Sequence, residues 1–452
     1  MTDINYDFYL YTISIGFISL LCGYVSYRKT NDPFHPAIFF GAQLFFLYCY
    51  LPYVTVVDFG VSGYLTREQC SQIQLINLAG VFSLCAGLLG NTNRHQQSLS
   101  FFIGEDTSAQ KRILKVAKLF GLVGTLSFFY ILISSGGLFR VYGHAYGGGW
   151  NASGYVRELF LLTVPALLWY FIATGHCKLR KNDLFWIILF SSPLLIHGLL
   201  GARRGPTLVI AFTLVMGYFF STGRRPPFLL VLKGGLVLGL FVLLLVSNRS
   251  QVFIGSNVGS VNDPLSTFST QESNEFIYGA GTIINAEYFE NYNYGLRYLT
   301  VMLIRPIPRA IWPSKYLDAS QWFGIPNLEE NAGTGAAEFS NSVGWTGAVG
   351  AAPGIVADSW LEFWWGCCLF LFLIGRLYSS AWSRAKRFGG IWIVVFIVMA
   401  ALSGYLVTQT FEAMIFRLLF MAIPSWVIWV FVKRKISAKA ILNMNKEIII
   451  NE

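Results

Sequence analysis

Two neighbouring arginines, Arg203 and Arg204, have the side-chain chemistry and the position expected of an anion-binding site. They form the tip of a short hairpin between two apolar segments, and Pro206 suits the first turn of the helix that follows. A guanidinium keeps its positive charge and donates two parallel hydrogen bonds to phosphate oxygens. Because the hairpin contains no acidic residue, the pair and the N–H groups of the helix start predict an anion site.

A second pair of arginines occurs in the run Arg305-Pro-Ile-Pro-Arg309-Ala-Ile-Trp312-Pro, which follows the apolar segment 298–304. Prolines end a helix and restrict the next turn, so the spacing predicts two cations held at a fixed separation. Several converging guanidinium groups could hold a pyrophosphate without a metal ion. Contact with lipid headgroups is the alternative that the sequence leaves open.

The arginines and one aromatic neighbour form two groups of predicted binding residues. For these arginines the alternative is pairing with acids of the loop or with lipid headgroups. The group predicted to bind pyrophosphate consists of Arg203, Arg204, Arg305, Arg309 and Arg297. The group predicted to contact the rest of the substrate consists of Arg249, Trp312 and Arg417.

Three residues are candidates for catalytic proton transfer: Asp358, Glu362 and His197. The spacing of the two acids places them on one face of a helix, near the start of an apolar segment. Carboxylates inside such a segment are costly and are functional candidates by default. The alternatives are a helix cap or a salt bridge for the acids and a hydrogen-bonded packing role for His197. Glu412 and Arg417 form a similar pair, for which a salt bridge to each other is the alternative to a functional role.

The composition identifies the chain as a polytopic membrane protein. Of its 452 residues, 54% are hydrophobic and only 12% are charged, about half the charged fraction of a soluble domain. A helix that crosses a membrane needs about 20 apolar residues. Eleven segments are predicted to do so, approximately 8–27, 37–57, 73–90, 113–135, 156–174, 184–200, 206–221, 228–248, 353–375, 390–409 and 413–432.

Basic residues in the short connections decide the predicted orientation. Basic loops are cytoplasmic in membrane proteins, so the amino terminus is predicted outside and the carboxy terminus in the cytoplasm. The net charge of +10 then belongs to these loops rather than to a nucleic-acid-binding surface. The Arg203–Arg204 hairpin is predicted on the outer side. The clusters that share the inner side are 28–29, 94–115, 178–181, 224–225, 384–387 and 433–435.

The predicted organisation has four parts along the chain. Residues 1–248 hold spans 1–8, and residues 249–352 form a large extracytoplasmic loop with a juxtamembrane helix. Residues 353–435 hold spans 9–11, and residues 436–452 form a cytoplasmic tail. The long loop is rich in aromatic residues, which predicts a folded cap rather than a disordered linker. The sequence has neither a metal-ligand spacing nor a cofactor motif, so no metal and no cofactor are expected.

The segment 297–375 resembles the Wzy-type polymerases, which join lipid-linked oligosaccharide repeat units into bacterial O-antigen, capsule or exopolysaccharide. The likeness is carried by the run from Arg305 to Lys315 and by Asp358 in Pro353-Gly-Ile-Val-Ala-Asp-Ser-Trp. The arrangement of the spans, with one large late loop on the outer side, agrees with this family.

The resemblance implies a fold related to the polytopic (GT-C) glycosyltransferases and a location in the bacterial inner membrane. The implied substrate, both donor and acceptor, is an oligosaccharide linked to undecaprenyl pyrophosphate, and the implied reaction is glycosyl transfer at the periplasmic face. The arginines would stabilise the leaving pyrophosphate in place of a metal, and Asp358 or His197 would accept the proton of the acceptor hydroxyl. A chain-length regulator of the Wzz type is the implied protein partner.

Two other functions stay open at the level of sequence. An O-antigen ligase uses the same donor and transfers the glycan to lipid A-core. A flippase or polysaccharide-export channel moves the glycolipid without forming a glycosidic bond. A transporter of this kind is expected to show internal pseudo-symmetry, and the sequence shows no sign of it.

Replacing Arg309 with lysine is expected to remove most of the polymerising activity. The positive charge is kept, but the two-point geometry of the guanidinium is lost. The measurement is the ladder of polymer lengths that the variant produces. A wild-type ladder from Arg309→Lys would contradict the predicted pyrophosphate role of this residue.

Overall fold

The computed structural model of the chain is helical and contains no β-strand in the part of the chain that it describes. The described residues are 6–57, 65–90, 107–144, 150, 156, 158–175, 180–248, 251, 253–255, 275–325, 328 and 352–450. The helices of the first half are α1 (Tyr6–Thr30), α2 (Pro36–Val57), α3 (Arg67–Leu88), α4 (Thr107–Ser134), α5 (Gly137–Tyr142), α6 (Leu159–Thr174), α7 (Lys181–Leu199), α8 (Arg204–Thr222) and α9 (Phe228–Ser247). Those of the second half are α10 (Glu275–Tyr288), α11 (Leu296–Ile304), α12 (Lys315–Phe323), α13 (Gly354–Phe388), α14 (Ile391–Thr408) and α15 (Phe411–Ile450).

Ten of the described helices are long and apolar enough to cross a membrane, which confirms the predicted all-α polytopic membrane class. The predicted fifth span, 156–174, is not among these ten helices. Its helix, α6, is shorter than the ~20 residues that a membrane crossing needs. The predicted ninth span, 353–375, is longer than expected, because α13 continues to Phe388 and includes the basic cluster at 384–387. The side of the membrane on which each end of the bundle lies stays a prediction.

Local side-chain chemistry sets where α2 and α3 begin. The Nδ1 atom of His35 accepts the N–H of Ala37, and Pro36 occupies the first turn of α2. Thr66 and Gln69 form a reciprocal capping box at the start of α3. Both arrangements satisfy N–H groups that a helix start would otherwise leave without a partner.

The α3 and α13 helices pack together with their backbones in contact. A Cβ atom on Gly87 would lie 2.1 Å from the carbonyl oxygen of Phe372, and one on Gly375 would lie 2.4 Å from that of Leu84. Larger residues would force the helices apart, so glycine allows the close contact that membrane helix pairs use. In contrast, α9 is apolar apart from Lys233 and is hardly buried in the bundle, as a lipid-facing helix is.

The most buried of the candidate spans is α14, which lies between α8, α13 and α15. The start of α8 touches the end of α14, since a Cβ atom on Gly205 would lie 2.1 Å from the Tyr405 hydroxyl oxygen. The start of α13 joins the start of α15, because Asp358 accepts the N–H of Phe411 at 3.1 Å. These four helix ends therefore meet at one end of the bundle.

The opposite end of α13 is held by a buried ion pair. The Lys386 ammonium contacts Asp32, and Trp382 Nε1 donates to the same carboxylate at 3.1 Å. Both charged side chains are almost fully buried. The pair joins the connection between α1 and α2 to the last turns of α13, so residues far apart in the chain close this end of the structure.

Replacing Lys386 with methionine is expected to destabilise the protein by about 3–5 kcal/mol, because the Asp32 carboxylate would stay buried without its partner. Arg387→Met is the matched control, since Arg387 is the next residue and is exposed. Thermal unfolding of both variants in detergent checks the expectation. Equal effects of the two substitutions would contradict a specific role for the ion pair.

Candidate functional site

Arginines from two helices converge around Tyr405, near the end of α14. Arg203 precedes α8 and Arg204 begins it, whereas Arg417 lies near the start of α15. The Arg417 guanidinium is 4.3 Å from the centre of the Tyr405 ring, and the charges of Arg203 and Arg204 act on the Tyr405 hydroxyl. The acid Glu158 also lies near the Tyr405 hydroxyl. We call Arg203, Arg204, Arg417 and Tyr405 the arginine cluster.

The hairpin that carries the first two of these arginines has a constrained backbone. Ala202 has a φ of 45°, in the left-handed region that residues with a side chain rarely adopt. The N–H of Arg203 donates to the carbonyl of Gly198 at 2.9 Å, and the Thr207 hydroxyl donates to the carbonyl of Arg203 at 2.9 Å. These bonds fix the positions from which the side chains of Arg203 and Arg204 leave the backbone.

Arg204 forms an ion pair with Glu275, the first residue of α10. The side chains are 29% and 12% exposed, so the pair lies at the edge of the bundle rather than in its core. The hairpin itself contains no acid, but the partner comes from a segment far along the chain. Because a guanidinium has several N–H donors, this contact leaves donors of Arg204 for a second anion.

Arg297 on α11 is surrounded by carboxylates from two other helices. Its Nη2 atom lies 2.5 Å from Asp358 Oδ1, and its Nε atom lies 2.5 Å from Glu362 Oε1, both on α13. Its Nη1 atom lies 3.4 Å from Glu412 Oε1 on α15. We call Arg297, Asp358, Glu362 and Glu412 the Arg297 ion cluster. The cluster binds three separate helices to one another.

Burial of the Arg297 ion cluster argues against the roles predicted for three of its members. Its side chains are 4% exposed or less. Arg297 is surrounded by carboxylates rather than open to a pyrophosphate, and Asp358 and Glu362 hold a charge rather than face a substrate. The structure does not show the alternative of a Glu412–Arg417 bridge, since Glu412 faces Arg297 and Arg417 donates to a backbone carbonyl of its own helix at 2.5 Å.

The turn after α11 carries Arg305 and Arg309. The Lys315 ammonium holds this turn by donating to the backbone carbonyls of Ile304, Arg305 and Ile307. Desolvation, followed by the charges of Arg309 and Arg305, lowers the pKa of Lys315 from its ordinary value. The Arg305 guanidinium lies 4.4 Å from the centre of the Phe416 ring on α15. The positions of the two arginines therefore depend on Lys315 and on α15 as well as on the prolines.

Trp312 forms an aromatic pair with Trp322. Its Nε1 atom donates to Asp318 at 2.5 Å, and its ring lies 5.3 Å from that of Trp322. Hydrogen bonds from Trp312 and Ser314 lower the pKa of the Asp318 carboxyl. Because the Trp322 side chain is largely exposed, the pair presents an aromatic face with a fixed orientation.

His197 is placed for packing rather than for proton transfer to a substrate. Its side chain is buried, and its Nδ1 atom lies 3.2 Å from the Tyr142 hydroxyl. The rings of Trp150 and Phe160 pack edge-on against the imidazole at 5.4 Å and 5.6 Å. The aromatic enclosure favours the packing alternative that the sequence left open.

A small cavity borders the Arg204–Glu275 ion pair and is lined by residues of α2, α3, α10, α13 and α14. Its volume is about 20 Å³, which has room for one water-sized group. Its polar lining comes from Tyr48, Asn77, Glu275 and Thr408, and the rest of the wall is apolar. One oxygen of Glu275 contacts Arg204, whereas the other is buried and accepts no hydrogen bond from the described part of the chain.

The structure therefore regroups the predicted site residues. It places Arg417 with Arg203 and Arg204, although the sequence assigned Arg417 to a different group. It places Arg297 in a separate buried cluster. Arg249, which was predicted to contact the substrate, lies outside the described residues.

Two residues of the site were missed by sequence reasoning. Tyr405 lies inside an apolar segment, and nothing in the local sequence marks it. Glu275 is the acid at the start of a helix that is apolar over most of its length, and sequence reasoning could have singled out an acid in this position. Its link to Arg204 depends on how two distant segments pack, which no local pattern reports.

No protein-family model, curated protein or solved structure matches the chain. The fold and the site define an all-α polytopic membrane protein with arginines gathered at one end of its helix bundle.

Replacing Arg297 with methionine is expected to destabilise the protein by at least about 3–5 kcal/mol, because the substitution leaves several buried carboxylates without a counter-charge. Arg309→Met is the matched control, since Arg309 follows on the same segment and is exposed. Thermal unfolding in detergent checks the expectation. Similar unfolding temperatures for Arg297→Met and the wild type would contradict the structural role of the cluster.

Proposed function

We propose that this protein is a glycosyltransferase that polymerises oligosaccharide repeat units carried on undecaprenyl pyrophosphate. The observation that carries the proposal is the convergence of Arg203, Arg204 and Arg417 around Tyr405 at one end of an apolar helix bundle. The resemblance of segment 297–375 to the Wzy-type polymerases supports this choice of reaction. The proposed location is the bacterial inner membrane, with the arginine cluster on the periplasmic side and a scaffold related to the GT-C enzymes.

A lipid-linked pyrophosphate has the shape and the charge that suit this position. Its polyprenyl chain would stay in the bilayer beside the apolar helices, while its headgroup would reach the arginine cluster at their ends. Arg204 is 29% exposed and keeps donors beyond its contact with Glu275. Arg417 pairs with no carboxylate among the described residues, so its charge supports binding of an external anion.

The proposed reaction needs cations where negative charge develops. The bond between the anomeric carbon and the pyrophosphate oxygen breaks, and the electron pair stays on the leaving pyrophosphate. Guanidinium groups held by fixed backbone and ring contacts stabilise that charge without reorganising during the step. Arg305 and Arg309 would extend the positive surface that the arginine cluster forms. The Arg305 guanidinium packs on the ring of Phe416, which precedes Arg417 on α15.

Exposed aromatic side chains near this surface are proposed to bind the sugar rings. Trp312 and Trp322 form the fixed pair described above, and Tyr294 on the connection before α11 is largely exposed. An aromatic face offers a large contact area to the apolar face of a sugar at a small cost in conformational entropy. A chain-length regulator of the Wzz type is the proposed protein partner on the same side of the membrane.

The test is polymer formation from a purified lipid-linked repeat unit in the presence of EDTA, read as a ladder on a gel. The wild type is expected to form a ladder, and Arg203→Ala/Arg204→Ala is expected to lose about 100-fold or more in rate, because charge stabilisation is lost. Arg224→Ala/Arg225→Ala is the matched control, since it removes an exposed arginine pair beyond the other end of α8.

The other outcomes of this test name the alternatives. Transfer of a single glycan to lipid A-core would identify a ligase. Movement of the glycolipid across the membrane without a new glycosidic bond would identify a transporter. An equal loss of activity in both double variants would contradict a specific role for the arginine cluster.

A further inference from the structure

The bond-forming step proposed above needs a group that takes the proton of the acceptor hydroxyl. The acids of the Arg297 ion cluster are buried around a guanidinium, and His197 is enclosed by aromatic rings. Among the described acids, Glu158 and Glu275 lie near the arginine cluster. The choice between them rests on what surrounds each carboxylate.

Glu275 is held in a defined orientation beside the arginine cluster. Its Oε1 atom contacts Arg204, and its Oε2 atom is buried and accepts no hydrogen bond from the described residues. Burial of a carboxylate oxygen without a hydrogen-bond donor costs free energy. Such an atom is suited to accept a hydrogen bond from the hydroxyl of a ligand. The Arg204 guanidinium would then contact the carboxylate on one side and the pyrophosphate on the other.

The cavity beside Glu275 fits a single hydroxyl group. Its volume of about 20 Å³ suits one water-sized group and excludes a sugar ring, which would stay at the mouth. Tyr48 lines the cavity, and its hydroxyl accepts the N–H of Val356 at 3.2 Å. Tyr48 belongs to a π-helical turn, Phe46–Tyr50, a feature that is frequent at functional sites. Glu158 is not part of this lining.

We propose that Glu275 accepts the proton of the acceptor sugar hydroxyl, and that the cavity between Glu275 and Tyr48 receives this hydroxyl. In this step the acceptor oxygen bonds to the anomeric carbon of the donor, and the bond from that carbon to the pyrophosphate oxygen breaks. The electron pair leaves with the lipid pyrophosphate, and the proton moves to Glu275, which later releases it to water. This role rests on the proposed function.

The test combines transfer and binding in the purified full-length protein. Glu275→Gln is expected to slow single-turnover transfer by about 100- to 10,000-fold, while binding of undecaprenyl pyrophosphate stays as in the wild type. Formate is expected to restore part of the activity of Glu275→Ala, because a small carboxylate can occupy the vacated space. Glu287→Gln is the matched control on α10, since Glu287 bonds to Gln72 and lies away from the cavity.

Several results would overturn the role of Glu275. Wild-type transfer by Glu275→Gln would do so, as would a loss of pyrophosphate binding that matches the loss of rate. A defect confined to Glu158→Gln would assign the proton to that residue instead. If Glu275→Gln does not fold, Glu275→Asp is the second variant, because it keeps a partner for Arg204 and withdraws the carboxylate from the cavity. A wild-type transfer rate in Glu275→Asp would then overturn the role of Glu275 as proton acceptor.

The same experiment separates this role from the proposed function. If the wild type forms no glycosidic bond with any acceptor, the proposed function is rejected and the role of Glu275 falls with it. If the wild type transfers and Glu275→Gln transfers equally fast, only the role of Glu275 is rejected.

Discussion

The neutralisation of Arg297 by buried carboxylates is the interaction on which the arrangement of the site depends. It joins α11 to α13 and α15, because the carboxylates come from Asp358, Glu362 and Glu412. A buried charge is tolerated only with partners of good geometry, so the three helices must keep their relative positions. The segment after α11, which carries Arg305 and Arg309, is thereby attached to the same end of the bundle as Arg417.

Burial separates the arginines into two kinds with different uses. Arg297 is 4% exposed and has carboxylates on several sides, so its charge holds the protein together. Arg204 is 29% exposed and has one carboxylate partner. Arg297 therefore has a structural role, whereas Arg204, which has the same kind of side chain, is a candidate ligand for an anion. The proposed function depends on the second kind, which lies around Tyr405.

The Arg204–Glu275 pair gives the proposed site both of the charges that a glycosyl transfer requires. The guanidinium can stabilise a leaving pyrophosphate, and the carboxylate can take a proton at the adjoining cavity. The cavity is too small for a sugar ring, so it would admit the reacting hydroxyl and leave the ring outside. The helix start at Glu275 and the strained hairpin at Ala202 bring these two charges into contact from segments that are distant in the chain.

The sequence by itself determined the membrane class and most of the helix positions, because the length of an apolar segment is a local property of a chain. It also identified Arg203, Arg204, Arg305 and Arg309 as candidate site residues. These arginines lie in short turns or beside prolines, whose conformations also depend on the local sequence. The least accurate helix prediction from the sequence was the fifth span, because the apolar run 156–174 is longer than the helix α6 that it contains.

Only the tertiary structure decided which charges meet. Glu275 reaches Arg204, Glu412 reaches Arg297 rather than Arg417, and Lys315 closes the turn after α11. Each of these contacts depends on the packing of helices that are far apart in the chain, and the energy of an ion pair depends on the distance between its atoms and on its burial. A sequence pattern contains neither quantity, so the partner of a charged residue, and hence its role, was settled by the fold.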